Sequence, residues 1–130
     1  MTQATGPDDE RLALAHALFD AAREGNTELL RGYLNAGAPA TLTNAAGDSL
    51  LMLAAYHGHE EAAQLILHHG ADVNAANDRG QTPLAGAVFK GYTGVARVLL
   101  DAGADPDAGT PTAREAASMF ARSEIQALLG

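Results

Sequence analysis

The segment Gly70–Leu84 reads GADVNAANDRGQTPL, and its glycines belong to a period that runs through the chain. Three series of glycines recur at one constant interval: Gly37, Gly70 and Gly103; Gly25, Gly58 and Gly91; and Gly47 and Gly80. The interval is 33 residues. A fixed interval of this length is the signature of a repeat architecture, in which each unit buries its apolar face against its neighbours. The sequence therefore predicts a linear array of similar units.

Each unit is predicted to contain two short helices. In the third unit, Thr82 is a suitable N-cap and Pro83 stands at the first helical position, where a missing N–H is tolerated. That helix is expected to extend to about Lys90 and to end at a glycine. A second helix is expected from Thr93 to about Ala102. Helices this short are marginal alone, so their stability must come from stacking.

Composition narrows the function classes. The chain has 130 residues and no cysteine, which excludes disulfides and thiolate metal sites. Sixteen acids against eight bases give a formal charge of −8, which disfavours nucleic-acid and membrane partners and favours a partner with a basic surface. The absence of a signal segment and of a long apolar run predicts a cytoplasmic protein. Abundant alanine and a single lysine suggest a bacterial source.

The repeating motifs resemble those of the ankyrin-repeat family. Gly80–Leu84 matches its G-x-T-P-L, Gly58-His59 its G-H, and Gly70–Ala75 its G-A-D-V-N-A. The histidine that follows T-P-L in the family is replaced by Met52 and Ala85 in two units. The resemblance covers about residues 9–130 and implies an all-α solenoid of four helix pairs joined by short hairpin-like fingers.

Alignment to the period divides the array into units at about residues 9–44, 45–77, 78–109 and 110–130, after a disordered tail at residues 1–8. The first unit contains Asp20 and Arg23 and is interpreted as an N-terminal cap. The last unit returns to register after a shift shorter than the period, which places Arg114 opposite Leu84. A polar residue on a stacking face indicates a C-terminal cap. The expected count is two full repeats between two caps.

The candidate sites for chemistry are weak, and the chain is predicted not to be an enzyme and to hold no cofactor. His57, His59, His68 and His69 lack the spacing and the carboxylate of a catalytic zinc site, so no metal site is assigned. Residues 86–93 resemble a phosphate-binding loop, but Tyr92 replaces the lysine. No serine lies in a nucleophile-elbow motif.

The resemblance implies that a partner binds the finger tips and the concave face formed by the first helix of each unit. By position, the candidate binding residues are Arg23, Glu24, Asp48, Tyr56, His57, Asp78, Arg79, Gln81, Phe89, Lys90, Met119 and Phe120. Tyr56, Phe89 and Phe120 are half of the six aromatic residues of the chain, at positions where the fold does not require an apolar side chain. They would either form an interface stripe or fold over the next repeat as core.

The leading functional hypothesis is a protein-interaction module, monomeric when free, that serves as an accessory or inhibitory subunit. Two alternatives remain at this level. One is a self-associating structural solenoid, and the other is a metal-binding protein centred on the four histidines.

Overall fold

The computed structural model describes residues 7–130, with side chains from residue 9 onwards. Eight α-helices occur in this part of the chain: α1 (Pro7–Glu24), α2 (Thr27–Asn35), α3 (Leu50–Tyr56), α4 (Glu60–His68), α5 (Pro83–Lys90), α6 (Thr93–Asp101), α7 (Ala113–Met119) and α8 (Ser123–Leu129). The tail was predicted at residues 1–8, and residues 1–6 of it lie outside the described residues. Residues 7 and 8 already belong to α1, so the first helix begins earlier than the predicted unit boundary at residue 9.

The helices form two layers. The inner helices α1, α3, α5 and α7 pack in chain order, and the outer helices α2, α4, α6 and α8 do the same. Within each pair, inner and outer helices also pack against each other. The prediction of an all-α array of four stacked helix pairs is confirmed.

The core is a ladder of equivalent apolar residues along the stack. Leu18, Leu51 and Leu84 occupy the same position in the first three units, and each is buried. Alanines such as Ala54 and Ala87 fill the neighbouring positions without exposure, which allows the inner helices to approach closely. In the last unit the equivalent residue is Arg114, which is exposed, so the leucine ladder ends there.

Hydroxyl side chains begin the inner helices of the last three units. Ser49 Oγ accepts a hydrogen bond from Met52 N (3.0 Å), and Thr82 Oγ1 accepts one from Ala85 N (3.1 Å). The predicted N-cap at Thr82 and the start of α5 at Pro83 are therefore confirmed. Such caps satisfy backbone N–H groups that have no partner inside the helix.

Each inner helix is followed by a residue in the left-handed conformation. Glycine occupies this position in three units, and Gly91, with φ of 78°, is one of them. Ala121 takes the position in the last unit with φ of 51°, a conformation that is unfavourable for a residue with a Cβ atom. The chain thus keeps the same turn at this end without the glycine that favours it.

Candidate protein-binding surface

The fingers are the loops that join each outer helix to the next inner helix, at residues 36–49, 69–82 and 102–112. Together with the inner helices they form one face of the molecule, which we call the inner face. Three grooves follow each other along it. The first, of about 760 Å³, lies between α1 and residues 43–46 and is lined in part by Leu12 and Phe19. The second, of about 180 Å³, lies between α3 and Arg79–Gln81. The third, also about 180 Å³, lies between α5, α7 and Pro111. Each finger therefore overhangs the inner helix that precedes it.

Three aromatic rings contact each other across these grooves, and we call them the aromatic stripe: Tyr56, Phe89 and Phe120. The rings of Tyr56 and Phe89 are nearly parallel with centroids 6.4 Å apart. Those of Phe89 and Phe120 meet edge to face at 4.9 Å. These are favoured geometries for aromatic pairs. The sequence alignment set Met119 opposite Phe89, but the ring in contact with Phe89 is that of Phe120.

The aromatic stripe lies at the surface and is not buried within the stack. Phe89 is 44% exposed and Phe120 is 41% exposed, while Tyr56 is half-buried. Met119, at the end of the stripe, is 67% exposed. The interpretation of Phe89 and Phe120 as core residues is therefore wrong.

A glycine on α5 brings Tyr56 close to the next repeat. A Cβ atom added to Gly86 would lie 2.9 Å from Met52 Cε and 3.3 Å from Tyr56 Cδ2. Glycine at this position lowers helix propensity by about 1 kcal/mol relative to alanine, but it opens the space that the tyrosine ring occupies. Gly86 thus shapes the aromatic stripe.

The predicted charged residues differ in their exposure and in whether another side chain already binds them. Arg23 is half-buried and pairs with Asp20 through an Nη1–Oδ1 distance of 2.8 Å. Asp48 is also half-buried, and its Oδ1 accepts a hydrogen bond from Asn77 Nδ2 (2.8 Å). Glu24 is exposed. Asp48 therefore holds two fingers together, which sequence reasoning did not anticipate when it placed this carboxylate among the candidate binding residues.

The predicted finger-tip residues lie beside the second groove. Asp78 and Arg79 are exposed, whereas Gln81 is half-buried. Arg79 N and Gln81 N both donate to Asn77 Oδ1 at 3.0 Å, and Gln81 Oε1 accepts from Asn77 Nδ2 at 3.0 Å. The buried Asn77 therefore fixes the backbone on which the candidate side chains stand.

A lysine and a histidine lie beside the Tyr56 end of the aromatic stripe. Lys90 Nζ lies 5.1 Å from the centroid of the Tyr56 ring, within the range of a cation–π contact. The rings of His57 and Tyr56 are nearly perpendicular, with centroids 5.7 Å apart. Burial lowers the pKa of His57 below its usual value near 6.5, and the charges of His59, Lys90 and Arg23 lower this pKa further. His57 is therefore predominantly neutral at pH 7.

Comparison with known proteins agrees with this architecture. A family model for ankyrin repeats, described as three copies, matches residues 18–110. The chain belongs to the ankyrin-repeat family. It is also similar to a protein of Pseudomonas aeruginosa strain PAO1 that is named as an ankyrin repeat protein, with 48% identity over 58 residues. That match covers 43% of this chain and 34% of the relative, so the chain spans about a third of the relative's length.

Ankyrin repeats are generally protein–protein interaction modules, and the family is typically non-enzymatic. One histidine of this ankyrin array makes a structural contact between units. His59 Nε2 donates a hydrogen bond to the Arg23 carbonyl oxygen (2.6 Å), so one ring nitrogen is used to join consecutive units. Within residues 9–130, no group of three or more histidine, aspartate or glutamate side chains is arranged to hold a metal ion. None of the helices of the described part is long and apolar enough to cross a membrane.

Several residues of the inner face were missed by sequence reasoning. Pro111 and Ala85 line the third groove, and Leu12, which is 57% exposed, lines the first. Leu12 could not be found from the period, because it lies on a part of α1 that has no equivalent in the other inner helices. Asn77 had a usable signal, since Asn44 stands one full period before it.

Proposed function

We propose that the protein binds a partner protein through its inner face and finger tips, with the aromatic stripe as the main contact. The exposure of Phe89 and Phe120 in a continuous contact with Tyr56 is the observation that supports this proposal. Two large rings left half-exposed in water are unfavourable for an isolated protein, and a partner that covered them would remove apolar area from solvent.

The stripe has the features of an interface hot spot. Aromatic residues contribute large contact areas while few rotatable bonds are fixed on binding. The third groove lies directly beside Phe89 and Phe120 and presents Pro111, Met119 and Ala85, so an apolar side chain of the partner would be enclosed on several sides. Truncation of a central aromatic residue commonly costs about 2 kcal/mol or more of binding free energy.

The double variant Tyr56→Ala/Phe89→Ala is expected to lose partner binding while remaining folded. The partner would be isolated from a lysate of the source cell by affinity capture on the wild-type protein. A loss of about 4 kcal/mol would correspond to an affinity about three orders of magnitude lower. The unfolding midpoint should fall much less than for a core substitution, because Phe89 is 44% exposed.

The matched control is Gln64→Ala/Arg97→Ala, which truncates two exposed side chains of the outer helices α4 and α6. The control should retain the captured protein at wild-type levels. Equal loss in both double variants, or unfolding of Tyr56→Ala/Phe89→Ala, would refute the assignment to the inner face.

Light scattering over a concentration series tests the alternative, a self-associating solenoid, which would show a dimer or larger species that the stripe variant abolishes.

The net charge supports a partner with a basic surface, and we propose that the protein serves this partner as an accessory or inhibitory subunit. A formal charge of −8 attracts such a surface over distances of about one Debye length, roughly 10 Å at 0.1 M salt. The association rate constant is therefore expected to fall by at least tenfold between 20 and 300 mM NaCl. Stopped-flow or surface plasmon resonance measures this rate. A rate constant that is independent of salt, or that rises with it, would contradict a basic partner surface.

A further inference from the structure

The Tyr56 end of the aromatic stripe carries a local charge opposite to that of the whole chain. Lys90 is exposed and pairs with no carboxylate of the described residues. Its ammonium group lies over the Tyr56 ring, and the His57 ring packs nearly perpendicular to that ring. In a chain with twice as many acids as bases, two cationic or protonatable groups that converge on one half-buried ring form a distinctive feature.

The charges around this point come from every element that packs near it. They are Asp20, Arg23 and Glu24 on α1, His59 and Glu60 at the start of α4, Lys90 on α5, Asp48 and Arg79 beside the second groove, and Arg122 between α7 and α8, whose Nη2 donates to the Phe89 carbonyl oxygen (2.9 Å). Asp20 is paired with Arg23, and Asp48 accepts from Asn77. Of the described carboxylates, Glu24 and Glu60 included, none forms an ion pair with Lys90 or His57.

We propose that Lys90 and His57 bind a carboxylate of an aspartate or glutamate side chain in the partner, next to an apolar side chain that occupies the third groove. The inference rests on the proposed function and deepens it, since it states which chemistry the inner face selects. Phe89 connects the two parts of this site, the carboxylate-binding point beside Tyr56 and the third groove. It stacks on Tyr56, beside which Lys90 and His57 lie, and it also lines the third groove.

A carboxylate fits this point better than a phosphate. A phosphorylated side chain carries a charge of about −1.5 to −2 and is best held by several arginine forks. Two of the arginines near this point are already engaged, Arg23 by Asp20 and Arg122 by the Phe89 carbonyl oxygen, and the exposed Arg79 beside the second groove would supply one fork only. His57 is predominantly neutral at pH 7 because its pKa is lowered. One lysine and one neutral histidine match a single negative charge, while the net charge of −8 opposes a second one.

The inference is tested first with a random dodecapeptide phage library, selected on the immobilised full chain at pH 7 and 150 mM NaCl. Peptides enriched on the wild type should contain aspartate or glutamate within a few residues of a large apolar side chain. Selection on Lys90→Met, which keeps the aliphatic stem but removes the charge, should retain the apolar preference and lose the acidic one. Enrichment of basic residues at that position, or an acidic preference that survives Lys90→Met, would overturn the proposal.

A second measurement uses one enriched peptide and its dependence on pH. A bound carboxylate raises the pKa of His57 above its value in the free protein, so binding takes up protons and affinity increases as pH falls. The peptide carboxylate stays ionised above pH 5.5 because its pKa is near 4. We expect affinity to rise about two- to fivefold from pH 7.5 to 5.5, as for a partly exposed charge pair, and His57→Gln to remove this dependence. A rise that persists in His57→Gln would contradict the role of His57.

The two proposals fail in distinguishable ways. If enriched peptides lose binding to Tyr56→Ala/Phe89→Ala but show no acidic preference, the inner face is the binding surface and the carboxylate assignment is wrong. If no peptide is enriched, or binding survives the double variant, the proposed function fails together with the inference. Replacement of the acidic residue in the enriched peptide by phosphoserine should weaken binding, and tighter binding would show that the site selects phosphate.

Discussion

Replacement of Leu51 by alanine is expected to lower the free energy of unfolding by about 3 kcal/mol or more. Leu51 lies on α3 with no solvent exposure, and truncation of a buried leucine removes apolar contacts and leaves a cavity. Measured costs of such truncations are roughly 2–5 kcal/mol. The upper half of that range is expected here because α3 packs between α1 and α5, so the surroundings are held on both sides and cannot collapse easily into the cavity.

The matched control for Leu51→Ala is Arg114→Ala, at the equivalent position of the last unit. Arg114 is exposed, and its Nε donates to Asp107 Oδ1 at 2.9 Å. Surface ion pairs of this kind contribute little to stability because water and salt screen them. Urea unfolding followed by circular dichroism compares the two variants. Similar losses in both would show that Leu51 does not occupy the centre of a continuous leucine ladder.

The constant period of the glycines was sufficient to predict a linear array of similar units, and the resemblance to the ankyrin-repeat family implied the all-α solenoid. Glycine, threonine and proline mark local conformations whose physical causes act within a few residues, so the start of α5 at Pro83 and its end at Lys90 could be predicted directly. The extension of α1 to Pro7 could not, because the residues before the first repeat have no equivalent for comparison. Ala121 was also missed, since it adopts the left-handed turn without the glycine that signals it.

The candidate surface was predictable in position but not in detail. Repeat spacing placed Tyr56, Phe89 and Phe120 on one face because equivalent positions of stacked units lie beside each other. The spacing could not show that Phe89 meets Phe120 and leaves Met119 exposed, since this depends on side-chain rotamers and on the shorter finger before the last unit. The engagement of Asp48 by Asn77 depends on a contact between fingers that no local pattern encodes.

Asn77→Ala is expected to destabilise the protein by about 2–3 kcal/mol, the largest effect we expect from a polar side chain outside the helices. Asn77 is buried, and its amide makes four hydrogen bonds: Oδ1 accepts from Arg79 N and Gln81 N, and Nδ2 donates to Asp48 Oδ1 and Gln81 Oε1. Alanine would leave two backbone N–H groups and a half-buried carboxylate without these partners. Unsatisfied groups of this kind each cost about 1–3 kcal/mol, reduced where water can enter.

The variant Asn44→Ala separates the two roles of Asn77, which are the hydrogen bonds within its own finger and the junction with the preceding finger. Asn44 stands at the equivalent position of the preceding finger, and its Oδ1 accepts from Ala46 N and Asp48 N, both at 3.0 Å. It shares the bonds within a finger but has no side-chain donation to another finger among the described contacts. We expect about 1 kcal/mol for Asn44→Ala, and the excess for Asn77→Ala measures the junction between fingers. A double-mutant cycle of Asn77→Ala with Asp48→Ala should give a coupling of about 1 kcal/mol, whereas additive effects would show that the junction contributes nothing.

Because Arg79 and Gln81 depend on the same amide for their placement, loss of the junction should also weaken partner binding at the second groove more than Asn44→Ala does.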